Sequence, residues 1–189
     1  MSISLYSVVL VLSGACMVGC HKIDRAAGDE SYLPYEKKHT LNLHSEEVSG
    51  IWGNEAGGLI ASLRAEKRQF RPGEPILIGF QLKNVSERPQ VVFHSGFWPN
   101  HRLSVKDARG YDIPLTALGK ETRAVFGSGT PRRKNFTVTL APDQIDTSYG
   151  PYNLRDYFQI DDSAILYVRC LYAEGSFQVS SNELIIEVH

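Results

Sequence analysis

The chain has 189 residues, enough for one domain with a proper hydrophobic core. Its 20 Lys and Arg against 21 Asp and Glu leave a net charge of −1, so no global field draws it to nucleic acid or to an anionic surface.

The first 19 residues carry no charged side chain, and Val8-Val9-Leu10-Val11-Leu12 has the length and composition of a signal-peptide apolar core. The run from Ile3 to Gly19 falls short of the roughly 20 apolar residues a membrane-crossing helix needs. It ends on Met17-Val18-Gly19-Cys20, which reads as a bacterial lipoprotein cleavage box with Cys20 as the lipidated residue. The region departs from an ordinary signal in having no Lys or Arg before its apolar core. Ser13-Gly14-Ala15-Cys16 is an alternative cut, but Ser13 replaces the large aliphatic residue expected there. Lipidation at Cys20 implies a stable acyl anchor in the bacterial cell membrane or outer membrane, facing away from the cytoplasm. His21, not Asp, follows the cysteine, which by resemblance to lipoprotein sorting favours the outer membrane where there are two. Cys16 then leaves with the signal and Cys20 is consumed, so Cys170 has no disulfide partner and is expected as a buried, inert thiol.

Residues 20–50 are polar and aperiodic, as a tether would be. From Ile51 onward the chemistry changes, and 51–189 reads as the folded domain. Leu59, Ala61 and Leu63 alternate with Ile60, Ser62 and Arg64. Arg71-Pro72-Gly73-Glu74-Pro75 predicts a turn into Ile76–Lys83. In that strand Ile76, Ile78, Phe80 and Leu82 face the core, and Gln81 and Lys83 face water. Asn84-Val85-Ser86 ends it. Val91-Val92-Phe93 is a further strand, and Leu103-Ser104-Val105 leads through Asp107–Gly110 into Tyr111-Asp112-Ile113 as a hairpin. Phe136, Val138 and Leu140 alternate with Thr137 and Thr139. Ala164 to Tyr172 is apolar on both faces, as a central strand would be, and Leu184–Val188 closes the chain. The one helical interruption expected is Pro142 to Tyr157, as one turn around Leu154-Arg155-Asp156-Tyr157. Seven to nine short strands with regular punctuation predict an all-β, antiparallel sandwich or barrel.

Phe70-Arg71-Pro72-Gly73-Glu74-Pro75-Ile76, Leu82-Lys83-Asn84-Val85-Ser86, Leu154-Arg155-Asp156-Tyr157-Phe158 and Ser181-Asn182-Glu183-Leu184 give residues 50–189 a resemblance. They resemble immunoglobulin-like domains of exported bacterial proteins and, distantly, the domain named after intracellular proteinase inhibitors. The resemblance implies an immunoglobulin-like fold and says little of function. Such domains usually place Tyr where Leu166 stands, so the tyrosine-corner bond is not expected there, with Tyr167 and Tyr172 as stand-ins.

Two segments stand out as candidate binding loops. Gly119–Asn135 reads as the longest irregular stretch and carries Lys120, Arg123, Arg132, Arg133 and Lys134 against the single acid Glu121. It could grip an acidic partner, present an Arg to a protease pocket, or be a solvated loop. Gly96-Phe97-Trp98-Pro99-Asn100-His101 groups aromatic rings, either as an exposed stacking platform or as a plug over the core. The spacing of His94 and His101 fits no standard zinc pattern, and Asp143, Asp146, Asp156, Asp161 and Asp162 lack calcium-loop spacing. Neither a Gly-x-Ser-x-Gly elbow, a His-Glu-x-x-His pair nor a phosphate-cradling glycine loop occurs. Asn84-Val85-Ser86 and Asn135-Phe136-Thr137 fit the glycosylation pattern, which turn chemistry also produces. The sequence therefore points to a non-enzymatic envelope module, anchored by lipid and binding a protein or glycan, with no cofactor or metal and its oligomeric state open. The alternatives are a protease inhibitor acting through 119–135 and an enzyme whose site is assembled only on folding.

Overall fold

A computed structural model describes residues 51–94, 97–126, 136–174 and 176–189. The signal region, Cys20 and the tether lie outside them. In chain order the elements are β1 (Leu59–Ala65), β2 (Gln69–Phe70), β3 (Leu77–Asn84), β4 (Gln90–His94), α1 (Phe97–Asn100), β5 (His101–Lys106) and α2 (Ala117–Phe126). There follow β6 (Phe136–Leu140), β7 (Ile145–Asn153), α3 (Leu154–Tyr157), β8 (Ala164–Glu174), β9 (Phe177–Ser180) and β10 (Leu184–Val188). One sheet has the order β1-β3-β7 and a second the order β2-β10-β8-β5 with β9 also on β8, while β4 and β6 pair separately. Among the described strands every ladder is antiparallel except the short β10–β2 one. The chain is thus all-β, as expected, with the helices kept to connections. Within the helical interruption expected over Pro142 to Tyr157, only Leu154–Tyr157 is helical; Ile145–Asn153 is instead a strand, its main chain paired with β3.

The two larger sheets share one core. Leu63, Ile78, Phe80 and Leu82 come from the first, and Leu103, Leu166, Val168, Cys170, Tyr172 and Ile186 from the second. The period-2 pattern of β8 explains its contribution: Leu166, Val168, Cys170 and Tyr172 are buried while Ile165 is 45% exposed. β8 is central by its neighbours but buried on one face only, which corrects the two-faced expectation. β3 departs the other way. Gln81 is buried along with Phe80 and Leu82, so the strand is covered on both faces over most of its length.

β1 is also covered on both sides, because the chain before it lies over its outer face. Ser62 Oγ donates to the Ile51 carbonyl at 2.8 Å, Arg64 Nε donates to Ser62 Oγ, and the Arg64 guanidinium sits 5.4 Å from the Trp52 ring centroid. Burial lowers the Arg64 pKa. At Gly53 the approach leaves no room for a side chain: a Cβ there would lie 2.0 Å from the Ser180 carbonyl oxygen.

Three asparagines fasten elements that ordinary ladders leave apart. Asn182 Oδ1 accepts the Leu63 N–H at 2.7 Å and its Nδ2 donates to the Leu63 carbonyl at 3.2 Å, so a side-chain amide completes the outer edge of β1. Next to it Ser181 makes a parallel bridge to Ala61, and exchanges bonds with both main-chain groups of Cys170. Asn84, fully buried, donates to the carbonyls of Arg88 and Leu140 and accepts from the N–H and hydroxyl of Ser86. Its amide is therefore committed to the fold rather than presented to a glycan, and Asn135 lies outside the described residues. Asn153 Oδ1 accepts from Ile76 N–H and caps α3 through the Arg155 N–H.

Tyr172 attaches the β4–β6 pair. Its hydroxyl accepts the Phe93 N–H at 3.0 Å and offers its proton to Glu174 Oε2 at 3.1 Å, with the Phe93 carbonyl at 3.3 Å. Tyr172, rather than Tyr167, is the stand-in that bonds to backbone. Burial pushes its pKa well up, and the Cys170 thiol is pushed up for the same reason. The Tyr111–Ile113 half of the expected hairpin reduces to one bridge between Lys106 and Asp112, though Asp107 Oδ1 does build the turn by accepting from Arg109 and Tyr111.

Asn182→Ala leaves both main-chain groups of buried Leu63 without partners and is expected to cost about 2–4 kcal/mol. Urea unfolding of the variant checks this; a midpoint equal to wild type would show that water takes the amide's place.

Candidate functional site

The largest correction to the sequence reading lies after the hairpin. Ala117–Phe126 is a helix, so the first half of the expected 119–135 loop is ordered as α2. Apolar residues were too few there to signal a helix, and most of α2 is exposed. It is held instead by a close approach. Thr116 begins the helix, its Oγ1 accepting from Gly119 N–H and donating to the Asp156 carbonyl at 2.6 Å. Gly119 rests on α3, where a Cβ would meet the Tyr157 carbonyl oxygen at 2.1 Å.

This docking creates a groove of about 410 Å³ between α1, the start of β5, α2 and α3. Trp98, Phe126, Tyr157 and Phe158 supply rings to its lining, and Arg102 and Arg123 supply guanidinium groups. The Trp98 ring centroid lies 4.4 Å from Tyr157 and 6.3 Å from Tyr152, both edges of one aromatic cluster. Trp98 is partly buried against the core. No carboxylate lines the groove among the described residues, and neither Arg102 nor Arg123 is paired with one.

The predicted site residues divide accordingly. Trp98 and His101, three residues apart, meet Arg123, more than 20 residues further on, at this groove. His101 is not the exposed ring that a stacking platform needs: it is 2% exposed, edge-on to Phe80 at 4.5 Å and to Tyr172 at 5.3 Å. Trp98 acts largely as the core plug, with part of its surface left to the groove. Phe97 opens α1, and its side chain lies outside the described residues, as do Arg132, Arg133 and Lys134. Arg102, Leu103, Tyr157 and Phe158 were missed as site residues. Arg102 alternates with His101 and Leu103 along β5 and so points to the other face, a signal the sequence did contain. No group of three or more His, Cys, Asp or Glu that could hold a metal occurs among the described residues.

α3 supports the groove from below. Arg155 Nε donates to the Glu74 carbonyl and Nη1 to the Ile160 carbonyl, tying the helix to two loops. Asp156 Oδ1 accepts from Asn153 Nδ2 at 2.9 Å, and burial raises its pKa despite that bond. Of the acidic residues noted in sequence, Asp143 pairs with Lys83 and Asp162 with Arg155. A second groove, of about 580 Å³, lies beside Leu63 and Glu66–Gln69, but its Lys67 is paired with Glu74 and its Gln69 with Glu187.

No protein-family model matches this chain, and neither a curated protein nor a solved structure matches it. The site is accordingly argued from its chemistry.

Gly119→Ala is expected to push α2 off α3, seen as lost hydrogen-exchange protection in 117–126 while β3 and β8 keep theirs; unchanged protection would remove the close approach as the cause. Asp156 has a raised folded pKa, so the folded state holds its proton more tightly than the unfolded chain. Its burial penalty is absent in acid and present once pH rises through the folded pKa. Asp156→Asn keeps an acceptor for Asn153, and its stability relative to wild type is expected to increase from acid to neutral pH. Parallel stability–pH curves would contradict this.

Proposed function

We propose that this chain is a non-catalytic binding module of the bacterial cell envelope, anchored through a lipid on Cys20. Its immunoglobulin-like domain takes a protein or glycan partner at the groove between α1, β5, α2 and α3. The observation that carries this is the groove's composition: two guanidinium groups without carboxylate partners among the described residues, set beside rings already held in place. Positioned cations and rigid aromatic surface are what a recognition site needs and what a fold does not require for its own stability. Two sheets, antiparallel but for the short β10–β2 ladder, around one core support the immunoglobulin-like reading. The anchor rests on the Met17–Cys20 box and the uncharged apolar run before it.

The protease-inhibitor alternative loses ground at Arg123, because a protease pocket takes an extended segment and Arg123 is in a helix. That alternative keeps only Arg132, which lies outside the described residues.

Labelling cells with a radioactive fatty acid is expected to mark wild type and not Cys20→Ala; persistent label would move the anchor to Cys16 or remove it. Crosslinked partners recovered from envelopes are expected to change in Trp98→Ala and in Arg123→Gln, the latter exposed and so tolerated by the fold. An identical partner profile in both variants would end the assignment of this groove.

A further inference from the structure

The partner's chemistry can be narrowed, resting on the groove assignment above. β5 is the last strand of its sheet. Leu103 is paired with Cys170, and both main-chain groups of Cys170 are turned the other way, to Ser181 N–H and Oγ. In an antiparallel ladder such a residue and its partner form a non-hydrogen-bonded pair, so the N–H and C=O of Leu103 point out from the sheet edge. Val105, two residues on, confirms the phase: its carbonyl accepts the Ile113 N–H from that outer side. The strip Asp112–Ile113 thus covers the far end of β5 only. At Leu103, which lines the groove, no described residue continues the ladder.

A strand edge that no described residue covers, beside two cations without carboxylate partners among the described residues, selects among ligands. Sugars present hydroxyl groups that need acceptors as well as donors, and the groove's charged groups are donors only. An extended peptide satisfies the edge through its own main chain, and its carboxylates satisfy the guanidinium groups. We propose that the groove receives an extended acidic peptide segment of a partner protein, which pairs with β5 at Leu103 and places carboxylates on Arg102 and Arg123. Apolar side chains on the alternate face of that segment would meet Trp98 and Phe126.

The test uses the full-length protein in detergent and a fluorescent peptide of alternating Glu and Val, read by anisotropy. Binding is expected, falling as salt is added. Replacing Glu by Lys in the peptide is expected to abolish it, and N-methylation of alternate peptide nitrogens to weaken it while leaving every charge in place. Arg102→Gln with Arg123→Gln, both exposed, is expected to weaken binding about tenfold or more, with the circular dichroism spectrum unchanged. Equal affinity for the N-methylated peptide would overturn the strand pairing, and equal affinity of the double variant would overturn the role of the two arginines. Sulfated oligosaccharide binding that the double variant loses, with no peptide binding, would overturn the peptide proposal while leaving the groove as the binding site. Failure of both probes, together with an unchanged envelope partner profile, would remove the groove itself.

Discussion

The amide of Asn182 holds the architecture at its corner. A β-strand's outer edge exposes N–H and C=O groups that water must otherwise satisfy, and Leu63 is buried where water does not reach. The Asn182 side chain supplies both partners from the connection between β9 and β10. One side chain thereby joins the β1 edge of the first sheet to the β10 side of the second. Ser181 and Gly53 depend on the same closeness: Ser181 bridges to Ala61, and Gly53 passes the Ser180 carbonyl with no space for a methyl group. With the corner fixed, the two apolar faces must meet, and the core follows from period-2 alternation alone.

A second line of supports runs from β3 to the groove. Ile76 gives its N–H to Asn153 and its carbonyl to Leu154, so the end of the first sheet positions the start of α3. α3 presents the Tyr157 carbonyl to Gly119 and the Tyr157 ring to Trp98. α2 therefore borrows its place from hydrogen bonds and one close approach rather than from an apolar stripe. The groove exists because a helix too exposed to anchor itself by burial is held at one point, leaving the rest of its inner side open.

Strands were legible where burial falls on one face. Thr137–Leu140 and Leu184–Val188 carry alternation that the structure keeps, and the turn after Arg71 announced itself by residue type. Sequence misjudged coverage where another segment supplies it: Ser62 and Arg64 look solvent-facing until Ile51 and Trp52 fold over them. α2 was illegible for a related reason, since its docking signal is a single glycine read as loop. Two of the motifs that carried the resemblance contain Asn84 and Asn182, and a third directly follows Asn153, all three of which are fastenings of the fold. That explains why they speak for architecture and not for activity. Of the residues lining the candidate groove, the sequence singled out Trp98, His101 and Arg123, of which His101 is core, and the β5 edge becomes visible only once the phase of the β8 ladder is known.

An open edge at β5 also invites the wrong guest, a second copy of the same strand. Antiparallel self-pairing over the end that Asp112 and Ile113 leave uncovered, centred on Arg102, would set His101 opposite Leu103 and the two copies' Arg102 directly opposite each other, cation against cation on one face. Like charges directly opposite across a ladder are destabilising. The charge pattern that welcomes an acidic strand thus also guards the edge against assembly with itself, a form of protection that exposed strands in folded proteins need.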